Sequence, residues 1–438
     1  MIDQVLSPRN LQKALRQVIA NKGSAGVDGM KTSQLTLFLR KHRTLILQEI
    51  REHKYLPQPI MGVEIPKEKG KIRLLGIPTV MDRLLQQAVS QTIMLRFDEE
   101  FSVNSYGFRP GKNAHQAVCK ALEYIHDGYT YIVDIDLKNF FDEVDHCLLL
   151  NLVYQKVKCP TTMRLIRKWL RAPILIDGEL IKRRKGVPQG SPLSPLLSNI
   201  LLHELDKELV KRGLKFVRYA DDFSVYVKDK IEARKIGNSI YVYLRDKLKL
   251  PINREKSGIR KPVQFTLLGF RFVPTYIKGD KGKYQLIVCD KAWLRLKRSL
   301  KAITRKTSPL RFDERIGKIK EIQRGWLNYF RGANIFTKLR DLDGWVRNRL
   351  RYCIWHDWKK SERKRKNLIH LGVEKGLAYA WSRSRIGGWA IAQSPILGTT
   401  ITIQRLKKRL YVSMLDVYFR INPSLHEPPY TRPVRTVV

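Results

Sequence analysis

The chain has 438 residues, which is room for two to four domains with ample core. Its 84 Lys and Arg against 40 Asp and Glu give a net charge of +44, so the expected partner is a polyanion, nucleic acid by default and an anionic membrane surface as the weaker alternative. No apolar run is long enough to span a bilayer, the N-terminus lacks the apolar core of a signal peptide, and five scattered cysteines without a CxxC pair indicate neither a zinc site nor a disulfide framework, which fits a reduced cytoplasm.

In chain order, Leu11 to Ala20 reads as an amphipathic helix with Leu11, Leu15, Val18 and Ile19 on its apolar stripe. A glycine-rich stretch, Asn21 to Gly29, follows it, where backbone can approach a phosphate chain closely. Val63 to Lys67 starts a strand, and Lys71 to Leu75 is its hairpin mate, so that Lys67 and Arg73 project from adjacent strands. Such a cationic pair suits a metal-bound triphosphate, or it is simply two surface charges. Asp82 to Phe97 is helical, with Leu85, Val89, Ile93 and Phe97 as its core positions. Ser105 to Pro110 offers an aromatic ring and an Arg either to a template base or to a core and a salt bridge.

Two stretches carry the chemistry. Tyr131 to Leu137 alternates as a strand does, with Ile132, Asp134 and Asp136 on one face. Carboxylates within a strand are expensive to bury unless something compensates them. Phe216 to Val227 reads as a β-hairpin with Ala220, Asp221 and Asp222 at its tip. Adjacent carboxylates repel each other unless a cation lies close. If the two stretches pair, their acids converge, which is enough to hold two metal ions about 3.5–4 Å apart for in-line phosphoryl transfer. Solvated acids on a surface edge are the alternative.

Between these stretches, Gly186 to Pro192 is a turn-rich loop before a helix over Leu193 to Val210, whose exposed N–H groups suit an anion. Ile231 to Leu248 is a further helix, and Phe265 to Val273 a strand pair. Near Gln285 strands give way to basic helices. In one, Arg298, Lys301 and Arg305 lie apart from the apolar stripe of Trp293, Leu296, Leu300 and Ile303; in another, Arg340, Arg347 and Arg351 lie apart from Leu342, Val346, Leu350 and Ile354. Lys359 to Lys366 reads as a basic linker before an apolar and aromatic tail.

Tyr219-Ala220-Asp221-Asp222 resembles the catalytic signature of reverse transcriptases, with the other polymerase motifs in the expected order. Ile322 to Phe330, IQRGWLNYF, resembles the signature of the maturase domain. Over nearly its whole length the chain is similar to the reverse transcriptase/maturases encoded by bacterial group II introns, especially the compact group IIC type without an endonuclease domain. The resemblance implies an α+β fold: a right-hand polymerase with fingers, a palm around an antiparallel sheet, a helical thumb and a small C-terminal DNA-binding domain. The implied divisions are 1–105 (N-terminal extension and fingers), 106–285 (palm with part of the fingers), 286–365 (thumb/maturase X domain) and 366–438 (DNA-binding domain).

The resemblance also implies roles. Asp136, Asp221 and the carbonyl of Leu137 hold two Mg²⁺ ions, with Mn²⁺ as a substitute, and Asp222 supports the site. Lys67, Arg73, Gln189 and Lys256 bind the nucleotide, Lys256 as the acid for the leaving pyrophosphate, and Phe141 is a gate favouring dNTPs. The chain departs from the family at Arg73-Leu74-Leu75, where Arg-Pro-Leu is frequent. Arg298, Lys301, Arg305, Arg324, Arg347, Arg351, Lys360 and Arg363 are expected on nucleic acid. The implied function is RNA-directed DNA synthesis together with maturase assistance to intron splicing and mobility by target-primed reverse transcription. The expected partners are intron RNA in a ribonucleoprotein, an RNA template with a DNA primer, target DNA and dNTPs, without a membrane and with homodimerisation open. Two alternatives stand beside this: a domesticated reverse transcriptase in repair or defence, and a non-catalytic splicing cofactor, against which the intact carboxylate set argues.

Overall fold

A computed structural model of the chain describes residues 1–66, 70, 72–275 and 283–422. It divides into two compact units, Met1–Phe265 and Thr266–Val438.

The first unit opens on the helix Pro8–Ala20. Ser7 caps it by accepting from the Asn10 N–H, and Pro8 occupies the first turn, where a missing N–H costs nothing. Ala14 and Val18 are fully covered, while Leu11 and Leu15 pack more shallowly on the same core. The helix Val80–Asp98 is buried on most sides, Leu85, Val89, Ile93 and Phe97 included. Its first turn is fixed by a buried carboxylate: Asp82 accepts from Tyr55 Oη (2.8 Å), Thr79 Oγ1 (2.8 Å), Trp169 Nε1 (2.9 Å) and the Gln58 N–H (3.2 Å). Burial pushes the Asp82 carboxyl up, and these donors oppose the shift.

Two four-stranded sheets lie in this unit. One places the strands in the order Ile72–Ile77, Ile60–Pro66, Ile174–Ile176, Glu179–Ile181. The other runs Lys215–Tyr219, Asp222–Val227, Tyr131–Ile135, Gly258–Arg260, antiparallel throughout. Helices Ala114–His126, Ser194–Lys211 and Lys230–Asp246 pack against this second sheet. Ile132, Val133 and Ile135 are all buried, so the central strand is covered on both faces and leaves the core only at its acidic end.

The second unit begins with a three-stranded antiparallel sheet of Thr266–Leu267, Phe270–Pro274 and Tyr284–Val288. Helices Asp290–Ile303, Phe312–Phe330 and Phe336–Asp357 follow, then shorter ones up to Met414–Ile421. The division between units therefore falls earlier than the composition shift near Gln285, because these strands pair with one another and pack on the helices after them. Phe270, for example, lies against Phe330 with ring centroids 5.0 Å apart. The stretch read as a linker is instead the helix Ser361–His370. Lys, Arg and Glu are good helix formers, and Glu362 and Arg365 close an i,i+3 ion pair at 2.6 Å.

Candidate active site

The Tyr131–Ile135 strand and the hairpin pair in a fixed register: Asp134 faces Ser224, and Ile135 faces Phe223. Asp136 follows directly, at the end where the hairpin turns. Asp222 is not part of the tip, as its place between Asp221 and Phe223 suggested. It is the first residue of the second strand and pairs with Tyr219, which leaves a two-residue turn of Ala220 and Asp221. Such a turn needs left-handed backbone. Ala220 supplies it with φ +58°, a conformation that costs a non-glycine residue about 1–2 kcal/mol.

A segment after the helix Lys230–Asp246 clamps the strand's acidic end. The Asn253 N–H donates to the Asp136 carbonyl at 2.8 Å, and the Asp136 N–H donates to Ser257 Oγ at 3.0 Å. Lys256 Nζ stands 2.7 Å from Asp136 Oδ2, and Asn253 Nδ2 donates to the same oxygen at 3.1 Å. Leu137 is buried and bridges Ile252. Asp134 is half-buried and answered by Arg260 Nε at 2.8 Å; burial still holds its carboxyl above the usual range. Asp222 is solvent-accessible. Even so, the protein crowded around its carboxyl, and then the charges of Asp221, Asp136 and Asp134, push it up to about 6.

Carboxylates crowded together in this way fit hard divalent cations such as Mg²⁺. As placed, no three His, Cys, Asp or Glu among the described residues gather tightly enough to hold an ion, and the Asp136 carboxylate is turned to Lys256.

In the same unit, a cavity of about 520 Å³ is lined by Arg73, Phe141, Gln189, Gly190, Gly23 and Arg83, among others. Three of the residues expected at the nucleotide thus share one space. Arg73 Nε donates to Gln189 Oε1. The Gln189 carbonyl accepts from the Gly76 N–H at 2.8 Å, which ties the Pro188-Gln189-Gly190 loop to the Ile72–Ile77 strand. Gly190 is required there: its φ is +123°, and a Cβ would strike the Gly76 carbonyl. Lys67 lies outside the described residues. Lys256 sits with Asp136 rather than among the lining residues of this cavity. Arg109, left open between template and core, is a core residue. Its guanidinium reaches Asp98 Oδ1 (2.7 Å) and the carbonyls of Ser102, Ser105 and Asp98.

Residues 65–272 match the reverse transcriptase (RNA-dependent DNA polymerase) family, and residues 294–371 match the maturase-specific domain of group II introns. Protein YkfC of Escherichia coli (strain K12) is 31% identical over 310 residues, which cover 61% of this chain and 81% of YkfC. The group II intron-encoded protein LtrA of Lactococcus lactis subsp. cremoris is 30% identical over 346 residues, covering 73% of this chain but only 57% of LtrA. The chain belongs to the group II intron reverse transcriptase/maturase family. A retron Mx65 reverse transcriptase of Myxococcus xanthus is 27% identical over 208 residues, 45% of this chain and 47% of its own length.

In the maturase domain the signature Ile322–Phe330 closes the helix Phe312–Phe330. Gln323, Leu327 and Phe330 are buried, Trp326 packs against Trp293 at 4.7 Å, and Tyr329 Oη donates to the Leu268 carbonyl at 2.9 Å. Arg324 is exposed on the same helix. Arg298, Lys301, Arg305, Lys360 and Arg363 are also exposed. Arg347 is half-buried, and Arg351 faces inward, donating to the carbonyls of Ile401 (3.0 Å) and Gly398 (3.4 Å). Its guanidinium therefore holds the following segment in place. The helical spacing put Arg347 and Arg351 on a face away from the Leu342 stripe. It could not show that the chain after 395 returns to cover that face.

Sequence reasoning missed Arg218, Asn199 and Asp206. All three are fully buried, and Arg218 Nη2 meets Asp206 Oδ2 at 2.6 Å. The available signal was an Arg directly after the apolar pair Phe216-Val217 in a strand, which burial alone would penalise heavily.

Proposed function

We propose that this maturase copies RNA into DNA at the end of the Tyr131–Ile135 strand, with Asp136 and Asp221 as ligands of two Mg²⁺ ions, for which Mn²⁺ can substitute. Asp222 supports the pair, and Leu137 contributes its carbonyl. One observation carries this reading: the register that runs the strand leading into Asp136 antiparallel to the hairpin strand beginning at Asp222. Bound between these groups, the ions would activate the primer 3′-hydroxyl toward the α-phosphate and offset charge on the departing pyrophosphate.

The remaining work falls to the chain's own side chains. Arg73 and Gln189 hold the triphosphate and the nascent base pair in the cavity they line, and Lys67 is assigned to the triphosphate with them. Phe141, in the same cavity, lies under the sugar, where its ring excludes a 2′-hydroxyl. Lys256, exposed beside Asp136, gives a proton to the leaving pyrophosphate. In this reading the first unit is fingers and palm, the helices after Asp290 are a thumb, and residues 366–438 bind target DNA. Arg298, Lys301, Arg305, Arg324, Lys360 and Arg363 meet the phosphate backbone of the intron RNA, and the protein assists splicing and mobility of that intron.

The test is primer extension on an RNA template, with dNTPs or NTPs, by the wild type and by Asp136→Ala. Extension by the wild type with dNTPs and none by the variant is expected. A wild type that does not extend overturns the polymerase reading, and an active Asp136→Ala overturns the residue assignment.

A further inference from the structure

The turn that presents Asp221 rests on a buried guanidinium. Arg218 has 0% of its surface exposed. Its Nε and Nη2 donate to the two oxygens of Asp206 at 2.7 and 2.6 Å, a two-pronged pairing that fixes the plane of the group. Nη1 donates both to Asn199 Oδ1 (2.9 Å) and, two residues ahead, to the carbonyl of Ala220 (3.0 Å). Asn199 and Asp206 project from the helix Ser194–Lys211, the one that follows the Pro188-Gln189-Gly190 loop. Asn199 Nδ2 donates in turn to the Gly107 carbonyl at 2.9 Å. The backbone of Arg218 is also held, its N–H donating to Asn104 O at 2.9 Å and its carbonyl accepting from Tyr106 N at 2.8 Å.

Gly107 closes the arrangement from the other side. A Cβ there would collide with the backbone of Tyr219 and Ala220. The turn is thus gripped at its carbonyl by Arg218 and backed by a glycine that leaves no slack. Its central residue is an alanine in a conformation that alanine avoids. A buried ion pair is weak evidence for stability, since well-packed apolar groups often serve as well. What distinguishes this one is its direction: the groups joined by the guanidinium meet at the catalytic turn.

We propose that Asn199, Asp206 and Arg218 are positioning residues: they hold the Ala220–Asp221 turn in its left-handed form and so set where the Asp221 carboxylate stands relative to Asp136. The proposal rests on the reading of Asp221 as a metal ligand, and the experiment separates the two.

Full-length wild type, Asn199→Ala, Arg218→Lys and Asp221→Ala are compared by thermal melting, by template–primer affinity, by steady-state extension across Mg²⁺ and Mn²⁺ concentrations, and by Mn²⁺ binding read from its electron paramagnetic resonance signal. Asn199→Ala removes the bridge to Gly107 without stranding a charge. A displaced ligand predicts that it folds, keeps template–primer affinity within about twofold and keeps its KM for dNTP. Its kcat should fall about 10- to 100-fold, the range expected for misplacement of up to an ångström. Its half-saturating Mg²⁺ rises, its Mn²⁺ affinity falls, and Mn²⁺ partly restores its rate. Arg218→Lys, a point charge in place of a fork, shows the same pattern more strongly. A folded Asn199→Ala with wild-type kcat and metal affinity overturns the proposal. So does a loss of rate that merely follows the unfolded fraction. Should Asn199→Ala not fold, Gly107→Ala displaces the same turn from its other face; it must give the same metal signature, and wild-type values would overturn the proposal. Asp221→Ala extending at the wild-type rate would instead overturn the metal-ligand reading itself.

Discussion

Around the Tyr219–Asp222 turn, charged side chains are answered at short range: Lys256 on Asp136, Arg260 on Asp134, Arg218 on Asp206. Along the maturase helices the cations divide into two kinds. Arg315 is buried and donates to the carbonyls of Ile303, Arg305, Ser308 and Leu310 at 2.7–3.1 Å, which shapes the loop between two helices. Arg298, Lys301, Arg324, Lys360 and Arg363 remain exposed. On the proposed reading the contrast follows from what each region does. Phosphoryl transfer tolerates little displacement of its ligands, so a site for it would fix each group through another. Tracking a phosphate backbone would depend on how many cations are presented, each adding a similar increment.

The comparison breaks most sharply at the carboxylates. Asp136→Ala or Asp221→Ala is expected to lower the primer-extension rate on the order of a thousandfold or more, since metal stabilises the transition state by several kcal/mol and each 1.36 kcal/mol is tenfold. RNA affinity in a filter-binding assay should stay close to wild type, because neither residue meets the template in this reading. In the maturase domain the largest effect should come from a buried cation rather than an exposed one. Arg315→Met leaves several carbonyls unanswered and is expected to destabilise the second unit by about 3 kcal/mol, measured as an earlier denaturant midpoint of its tryptophan fluorescence.

The exposed cations sharpen the contrast. Arg298→Gln with Arg324→Gln should flatten the log–log dependence of RNA affinity on salt by up to about 1.4–1.8, at roughly 0.7–0.9 per lost phosphate contact, with the melting temperature unchanged. Arg351→Gln should do the reverse, lowering stability without altering the slope. Phe141→Ala is expected to relax the preference for dNTPs over NTPs by roughly tenfold in kcat/KM, and an unchanged ratio would place the gate elsewhere.

Much of the polymerase site was legible in the sequence. Alternation marked the Tyr131 strand, and β-branched and aromatic residues marked the hairpin around Asp221. What could not be read is what depends on a third element. Arg109 was left open because only the fold shows Asp98 beside it. Arg218 carries the same signal as Asp134 and Asp136, a charge in a strand that needs a partner. Its partners, Asn199 and Asp206, sit on a helix whose apolar stripe is the stronger pattern in the sequence. The helix Ser361–His370 was hidden by its own composition: a run of cations signals solvent exposure but says little about backbone. Arg351 shows the same limit from the other side, since helical periodicity assigns a face without saying what later returns to cover it.

The central claim is that chemistry and RNA support reside in separate parts of the chain, and separation of function tests it most directly. Asp221→Ala/Asp222→Ala, shown folded by circular dichroism, is titrated against wild type for splicing of the intron RNA it is proposed to serve, at near-physiological Mg²⁺, with primer extension measured in parallel. The account predicts that the double variant synthesises no DNA yet promotes splicing at the same protein concentration as wild type. A folded double variant that fails to support splicing would contradict it, for the two activities would then share the carboxylate site.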